Sequence, residues 1–156
     1  MSIAHYDRRG RGVIMAIWRD TFYRCEKCGN IVMKFGTQGA APSCCGEEMK
    51  VLEPYTKDNP GPAAAEKHLP VMKRGKIITV TVGGEGSEHP MDPDHSIEWI
   101  YVSTEMGAQL VKLRPGIEPY AQFALNGDIP LKIYAYCNKH GLWATEVFES
   151  MQDDDE

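Results

Sequence analysis

The pattern Cys25-x-x-Cys28 followed by the adjacent pair Cys44-Cys45 constrains the folding of this chain more than any other feature. The segment around it offers little beyond Val32, Met33 and Phe35 as a core, and so few apolar side chains cannot hold a chain folded without a cross-link. The spacing is that of a knuckle. A short strand through Thr21–Arg24 delivers Cys25, the chain turns, and Cys28 comes back to the same ion while Gly29 permits positive φ. Gly36, Gly39 and Pro42 then break the chain before the other two sulfurs arrive. Adjacent side chains normally diverge, so Cys44 and Cys45 can reach one ion only where the backbone distorts. Zinc and iron both suit a tetrathiolate, and a redox disulfide is the competing reading.

A second group of donors lies downstream. His68 stands in Glu66-Lys67-His68-Leu69-Pro70, His89 in Glu88-His89-Pro90-Met91, His95 in Asp94-His95-Ser96, and Cys137 with His140 in Cys137-Asn138-Lys139-His140-Gly141. These are four of the five histidines and the one isolated cysteine. Imidazole and thiolate are ligands that borderline transition metals prefer, and Glu66 or Lys67 beside them can act on whatever fills an open position. A closed zinc site is satisfied by four donors, so a set of five predicts a mononuclear iron with one position left for substrate. His5, in a polar stretch, is expected to be a bystander.

With 156 residues the chain has room for a small module joined to one domain with a proper core. Its 42% apolar and 25% charged residues are those of a soluble globular protein. The formal charge of -5 and the lack of a basic stripe argue against nucleic acid as a partner. No run approaches the roughly 20 apolar residues that span a bilayer, and the polar start, with Arg8, Arg9 and Arg11, does not read as a secretory signal. An odd number of cysteines that must stay reduced points to the cytoplasm.

Four regions follow: a flexible N-terminal extension over 1–16, the knuckle over 17–55, a larger domain over 56–150 and an acidic tail over 151–156. Val51 to Tyr55 reads as a short strand, and Lys57-Asp58-Asn59-Pro60-Gly61-Pro62 as a linker. Ala63 to Lys67 can make one helical turn or an irregular loop. Beyond Leu69 the pattern is strands: Ile78, Val80 and Val82 alternate with threonines, Ile97, Trp99 and Tyr101 share a face, and Leu131, Ile133, Ala135 and Cys137 share another. Further strands are expected over 109–113, 120–125 and 142–148. Turn signals at this spacing predict an antiparallel β-sandwich, so the whole chain is expected to be all-β.

The motifs Glu66-Lys67-His68-x-Pro70, His89-Pro90-Met91 with His95, and Cys137-Asn138-x-His140-Gly141 resemble those of superoxide reductases, the neelaredoxins and desulfoferrodoxins. The knuckle from Tyr23 to Met49 resembles desulforedoxin, the rubredoxin-like module of the two-iron members, so the likeness covers about residues 21 to 148. The resemblance implies an immunoglobulin-like sandwich, a homodimer and two irons per chain. Cys25, Cys28, Cys44 and Cys45 would hold one iron in a distorted tetrathiolate. His68, His89, His95 and His140 would be the equatorial ligands of the catalytic iron, with Cys137 the axial thiolate. Glu66 would be the carboxylate that caps the oxidised centre, and Lys67 the cation beside it. The implied reaction is one-electron reduction of superoxide to hydrogen peroxide, with electrons from rubredoxin or a similar small carrier. Two rivals stand against this. An oxygenase with two histidines and a carboxylate from Asp92, Asp94 or Glu66 leaves the remaining histidines and Cys137 unexplained. The other is a non-enzymatic interaction protein built from a zinc knuckle on an immunoglobulin-like domain.

Overall fold

In the computed structural model, residues 5–6, 12–13, 20–36 and 38–147 are described. The expected flexible extension and the acidic tail lie outside these residues, except for the antiparallel pair β1 (His5–Tyr6) and β2 (Gly12–Val13). The chain divides into two compact units, Met1–Val51 and Leu52–Glu156.

In the first unit β3 (Thr21–Arg24) pairs antiparallel with β4 (Ile31–Lys34) and with β7 (Lys50–Val51), while β5 (Ser43–Cys44) pairs with β6 (Glu47–Glu48). Its buried apolar side chains, Phe22, Cys25 and Met49, are few, as expected of a segment that cannot close a core by itself. The strand expected through Tyr55 stops at Val51. Pro54 has no N–H to give a ladder, and Tyr55, itself part of the second unit, instead makes an isolated parallel bridge to Trp143 within that unit.

The second unit is an antiparallel β-sandwich. One sheet has the order β11 (Ala108–Lys112), β10 (Ile97–Thr104), β13 (Pro130–Cys137), β14 (Gly141–Glu146). The other runs β12 (Tyr120–Phe123), β9 (Ile78–Val82), β8 (Pro70–Lys73). Alternation along the strands decides the core: Ile78, Val80 and Val82 meet Ile133, Ala135 and Cys137 across the sandwich, with Ala121 and Phe123 beside them. The face predicted for Ile97, Trp99 and Tyr101 is corrected here. The ladder to β13 slips between Ile97 and Trp99, so one extra residue turns the strand over, and Ile97 joins Ile100 and Val102 in the core. Trp99 and Tyr101 face away, against Tyr136 and Tyr134. Of the described helices, none is long and apolar enough to cross a membrane.

Register also gathers the loops that carry the histidines. The start of β8 pairs with the end of β9 (Pro70 with Val82), and the start of β10 with the end of β13 (Ile97 with Cys137), which in turn pairs with Gly141 at the start of β14. The single helical turn α1 (Ala65–His68), the loop after Val82, the loop before Ile97 and the turn after Cys137 are therefore anchored at strand ends that the ladders bring together. Gly83 makes the first of these crossings possible. It has φ of +87°, its N–H binds Leu69 O, and a Cβ there would stand 2.3 Å from Ser87 O. Replacing Gly83 by Ala should cost about 2 kcal/mol or more, from the left-handed backbone and the clash with main chain. Gly84→Ala, where nothing lies within 4 Å, should stay within about 0.5 kcal/mol of the parent. Urea titrations of both variants, followed by tryptophan fluorescence, check the difference.

Candidate metal centres

In the described residues, His68, His89, His95, Cys137 and His140 offer ligand atoms that all lie within 4.8 Å of one another, and so do Cys25, Cys28, Cys44 and Cys45. Every metal-ligating residue expected from the sequence thus falls into one of two clusters.

The larger cluster is built from backbone outward. α1 ends at His68, whose Nδ1 lies 2.8 Å from Ala64 O. Pro90 follows His89, and His89 Nδ1 lies 2.7 Å from the Pro90 carbonyl oxygen. Since a carbonyl only accepts, both rings carry their proton on Nδ1 and present a bare lone pair at Nε2. Those two lone pairs are 3.2 Å apart. Two acceptors at that distance repel unless a cation lies between them. His68 Nε2 is also 3.0 Å from His140 Nδ1, which is 3.2 Å from His95 Nε2. An ion bound by nitrogens at about 2.1 Å in a square sets neighbours about 3.0 Å apart, so the spacing fits.

The ring orientations agree. Going round from His68 to His89, His95 and His140, neighbouring ring centroids are 4.6, 4.7, 4.8 and 4.8 Å apart, and each ring stands nearly edge-on to the next. The diagonal from His68 to His95 is 6.3 Å. Four imidazoles at the corners of a square, with a fifth donor at Cys137 Sγ 3.7 Å from His140 Nδ1, is not the closed tetrahedron of structural zinc.

Burial grades across the site. Cys137 is inaccessible and belongs to the sandwich core, His68 and His89 are buried, and His95 and His140 are half-buried. The centre is closed on the sulfur side and reaches solvent past the other two rings. Burial pushes His89 down to about 4 and holds His68 and His95 below the ordinary imidazole value, so these rings are neutral ligands at neutral pH. Burial pushes the Cys137 thiol up, against the backbone hydrogen bonds from His140 and Lys139 that favour its thiolate. His140 N–H donates to Cys137 Sγ at 3.4 Å. A bound cation completes that balance in favour of the thiolate.

Three residues that support the site were not singled out for a role by their sequence positions. Asn138 Oδ1 accepts from Ser96 N at 3.0 Å and its Nδ2 donates to Asp94 O at 3.1 Å, so it clamps the loop on both sides of His95 to the turn that carries His140. Trp143 stacks on the His68 ring, and Tyr55 packs in turn against Trp143. Glu66 and Lys67 are exposed on α1, next to His68, and the Glu66 carboxylate is not one of the five clustered donors.

The cysteine cluster shows the distortion that adjacent ligands demand. Cys45 has φ of 52°, unusual for a residue other than glycine, and Gly46 follows at 76°. Cys28 and Cys44 sulfurs are 3.6 Å apart, and those of Cys44 and Cys45 3.9 Å. Sulfurs at about 2.3 Å from a tetrahedral ion lie about 3.8 Å apart, so a metal fits here as well. Backbone hydrogen bonding from Cys28 lowers Cys25 to about 7, whereas sharing hydrogen bonds with Cys28 drives Cys45 up to about 12. Four thiols this close cannot all ionise without a cation to offset the charge.

A family model described as Desulfoferrodoxin matches residues 61–146. A desulfoferrodoxin homologue of Archaeoglobus fulgidus is 41% identical over 122 residues, covering 78% of this chain and 92% of that one. The desulfoferrodoxin of Syntrophotalea carbinolica is 42% identical over 125 residues, covering 80% and 94%. The crystal structure of the superoxide reductase from Treponema pallidum superposes with a TM-score of 0.67 at 28% identity, covering 83% of this chain and 99% of that one.

The two clusters share no residue, so removing one should spare the other. In Cys25→Ser, metal analysis should find one bound ion fewer per chain, and the absorption of a histidine-ligated centre should persist. Loss of both ions together would contradict separate sites.

Proposed function

Since the chain belongs to the desulfoferrodoxin family, we propose that it is a superoxide reductase with two irons, one held by His68, His89, His95, His140 and Cys137, the other by Cys25, Cys28, Cys44 and Cys45. The observation that carries this reading is the square of four imidazoles over a buried cysteine. A non-enzymatic zinc module has no use for a fifth donor.

The reaction consumes one electron and two protons for each superoxide and yields hydrogen peroxide. When bound, the histidine-ligated iron supplies that single electron. Everything else falls to the protein. The His68 and His89 imidazoles are neutral and stiffly held by the Ala64 and Pro90 carbonyls, and the buried Cys137 sulfur would donate electron density to a bound iron, a known lever in haem enzymes. Substrate arrives from the side where His95 and His140 meet solvent.

Superoxide is an anion and the chain carries a formal charge of -5, so long-range attraction does not bring it in. Screening limits that repulsion to about 8 Å at physiological salt. A local cation at the mouth would then decide the encounter, and the exposure of Lys67, next in sequence to His68, supports Lys67 in that role. Its Nζ would also hold the water that protonates the product. Glu66, exposed on the same helical turn, is the carboxylate that would cap the oxidised centre, a regulatory role. Each turnover draws an electron from outside, so a small rubredoxin-like carrier serves as donor. A cytoplasmic location and a homodimer complete the proposal.

Pulse radiolysis of the reduced protein should give one hydrogen peroxide per superoxide consumed, with no dioxygen; dioxygen release would mark a dismutase instead. In the same experiment Lys67→Ala should lower the second-order rate about tenfold and flatten its dependence on ionic strength, while iron content stays unchanged. An unaltered rate and salt dependence would remove Lys67 from the entrance.

A further inference from the structure

Trp143 has no exposed surface, yet its surroundings are not those of an ordinary core residue. Its indole lies flat against the His68 ring, with centroids 4.8 Å apart and planes 26° from parallel. Its Nε1–H donates to the carbonyl of His140 at 3.1 Å. One side chain thus touches two of the four clustered histidines by two different interactions. Trp143 is held in turn by Tyr55, whose ring sits 5.1 Å away, and whose N–H and C=O bond Leu142 O and Ala144 N on either side of the tryptophan. The space for that ring is reserved: a Cβ on Gly61 would come within 2.9 Å of it.

We propose that Trp143 is a positioning and tuning residue of the histidine-ligated centre, setting the attitude of the His68 and His140 rings and favouring the more oxidised state of the metal they hold. The physical ground is the indole quadrupole. The face of tryptophan is the most electron-rich of the aromatic side chains and stabilises positive charge within about 6 Å. An imidazole bound to a metal ion loses electron density to it, more so when the ion carries the higher charge. Stacking on Trp143 therefore stabilises the ferric state more than the ferrous one and lowers the midpoint potential. The indole N–H bond fixes the His140 backbone, so that the ring offers Nδ1 to the cluster in place of the Nε2 used by His68, His89 and His95. Tyr55 keeps the indole flat and takes no part in the contact with the metal ligands.

The inference rests on the superoxide reductase reading, and the experiment separates the two. Midpoint potentials of the histidine-ligated iron, by spectroelectrochemistry of the intact two-iron protein, should rise in Trp143→Phe, where a weaker ring face remains and the N–H is lost. They should rise further in Trp143→Leu, where both interactions are gone. Loss of iron to a chelator should become about tenfold faster in Trp143→Leu, as for other groups that orient metal ligands. Ile100→Val, a core change away from the rings, serves as control and should leave the potential unmoved. If Trp143→Leu does not fold, Trp143→Phe decides. A potential unchanged in Trp143→Phe, with iron bound, overturns the tuning role and leaves the assignment of the site standing. Parent protein that binds no iron among the histidines overturns both.

Discussion

Two imidazole nitrogens that can only accept face each other at 3.2 Å, and the rest of the larger unit depends on that confrontation being resolved by a cation. His68 and His89 are each locked in one tautomer by a backbone carbonyl. Burial removes the option of protonating either ring at neutral pH. The site is consequently built to hold a metal ion, whose charge would offset the facing lone pairs.

The sandwich explains how a scattered set of residues can be held that firmly. Ligand-bearing segments leave strands at paired ends, so the ladders between β8 and β9, and among β10, β13 and β14, set the separation of the loops. Cys137 takes part in both the core and the site, as the last residue of β13 and the deepest donor. Its burial raises the cost of a bare thiolate, and the backbone N–H groups of the turn offset part of it. The first unit solves the opposite problem, having sulfur donors but little core, and lets a left-handed Cys45 bring adjacent thiols to one point.

Much of this was legible in the sequence because its chemistry is local or its residue types are rare. Cysteines at knuckle spacing and histidines beside prolines and glycines name themselves, and alternation in Ile78–Val82 shows which face is buried. In the strand ending at Cys137 alternation picks out Ile133, Ala135 and Cys137 as the core face, although Tyr134 and Tyr136 opposite are buried too. What escaped depends on tertiary register. The bulge that moves Ile97 into the core arises from pairing with β13 and has no signature in the residues around it. Trp143 looks like any core aromatic until β14 is placed next to the helical turn bearing His68, and Asn138 like any turn residue until the loop of His95 folds over it. Glu66 and Lys67 are the converse: their neighbours in sequence suggest a role, and their exposure on α1 is compatible with one at the entrance.

In the proposed centre four imidazoles and the Cys137 thiolate bind one iron ion. X-ray absorption at the iron edge of a Cys25→Ser variant, in which the histidine-ligated iron is observed alone, tests it most directly. A shell of nitrogens at about 2.1 Å with a single sulfur at a longer distance is expected, with loss of that sulfur in the double variant that also carries Cys137→Ala. A shell of nitrogen and oxygen without sulfur, or one with several sulfurs, would contradict it.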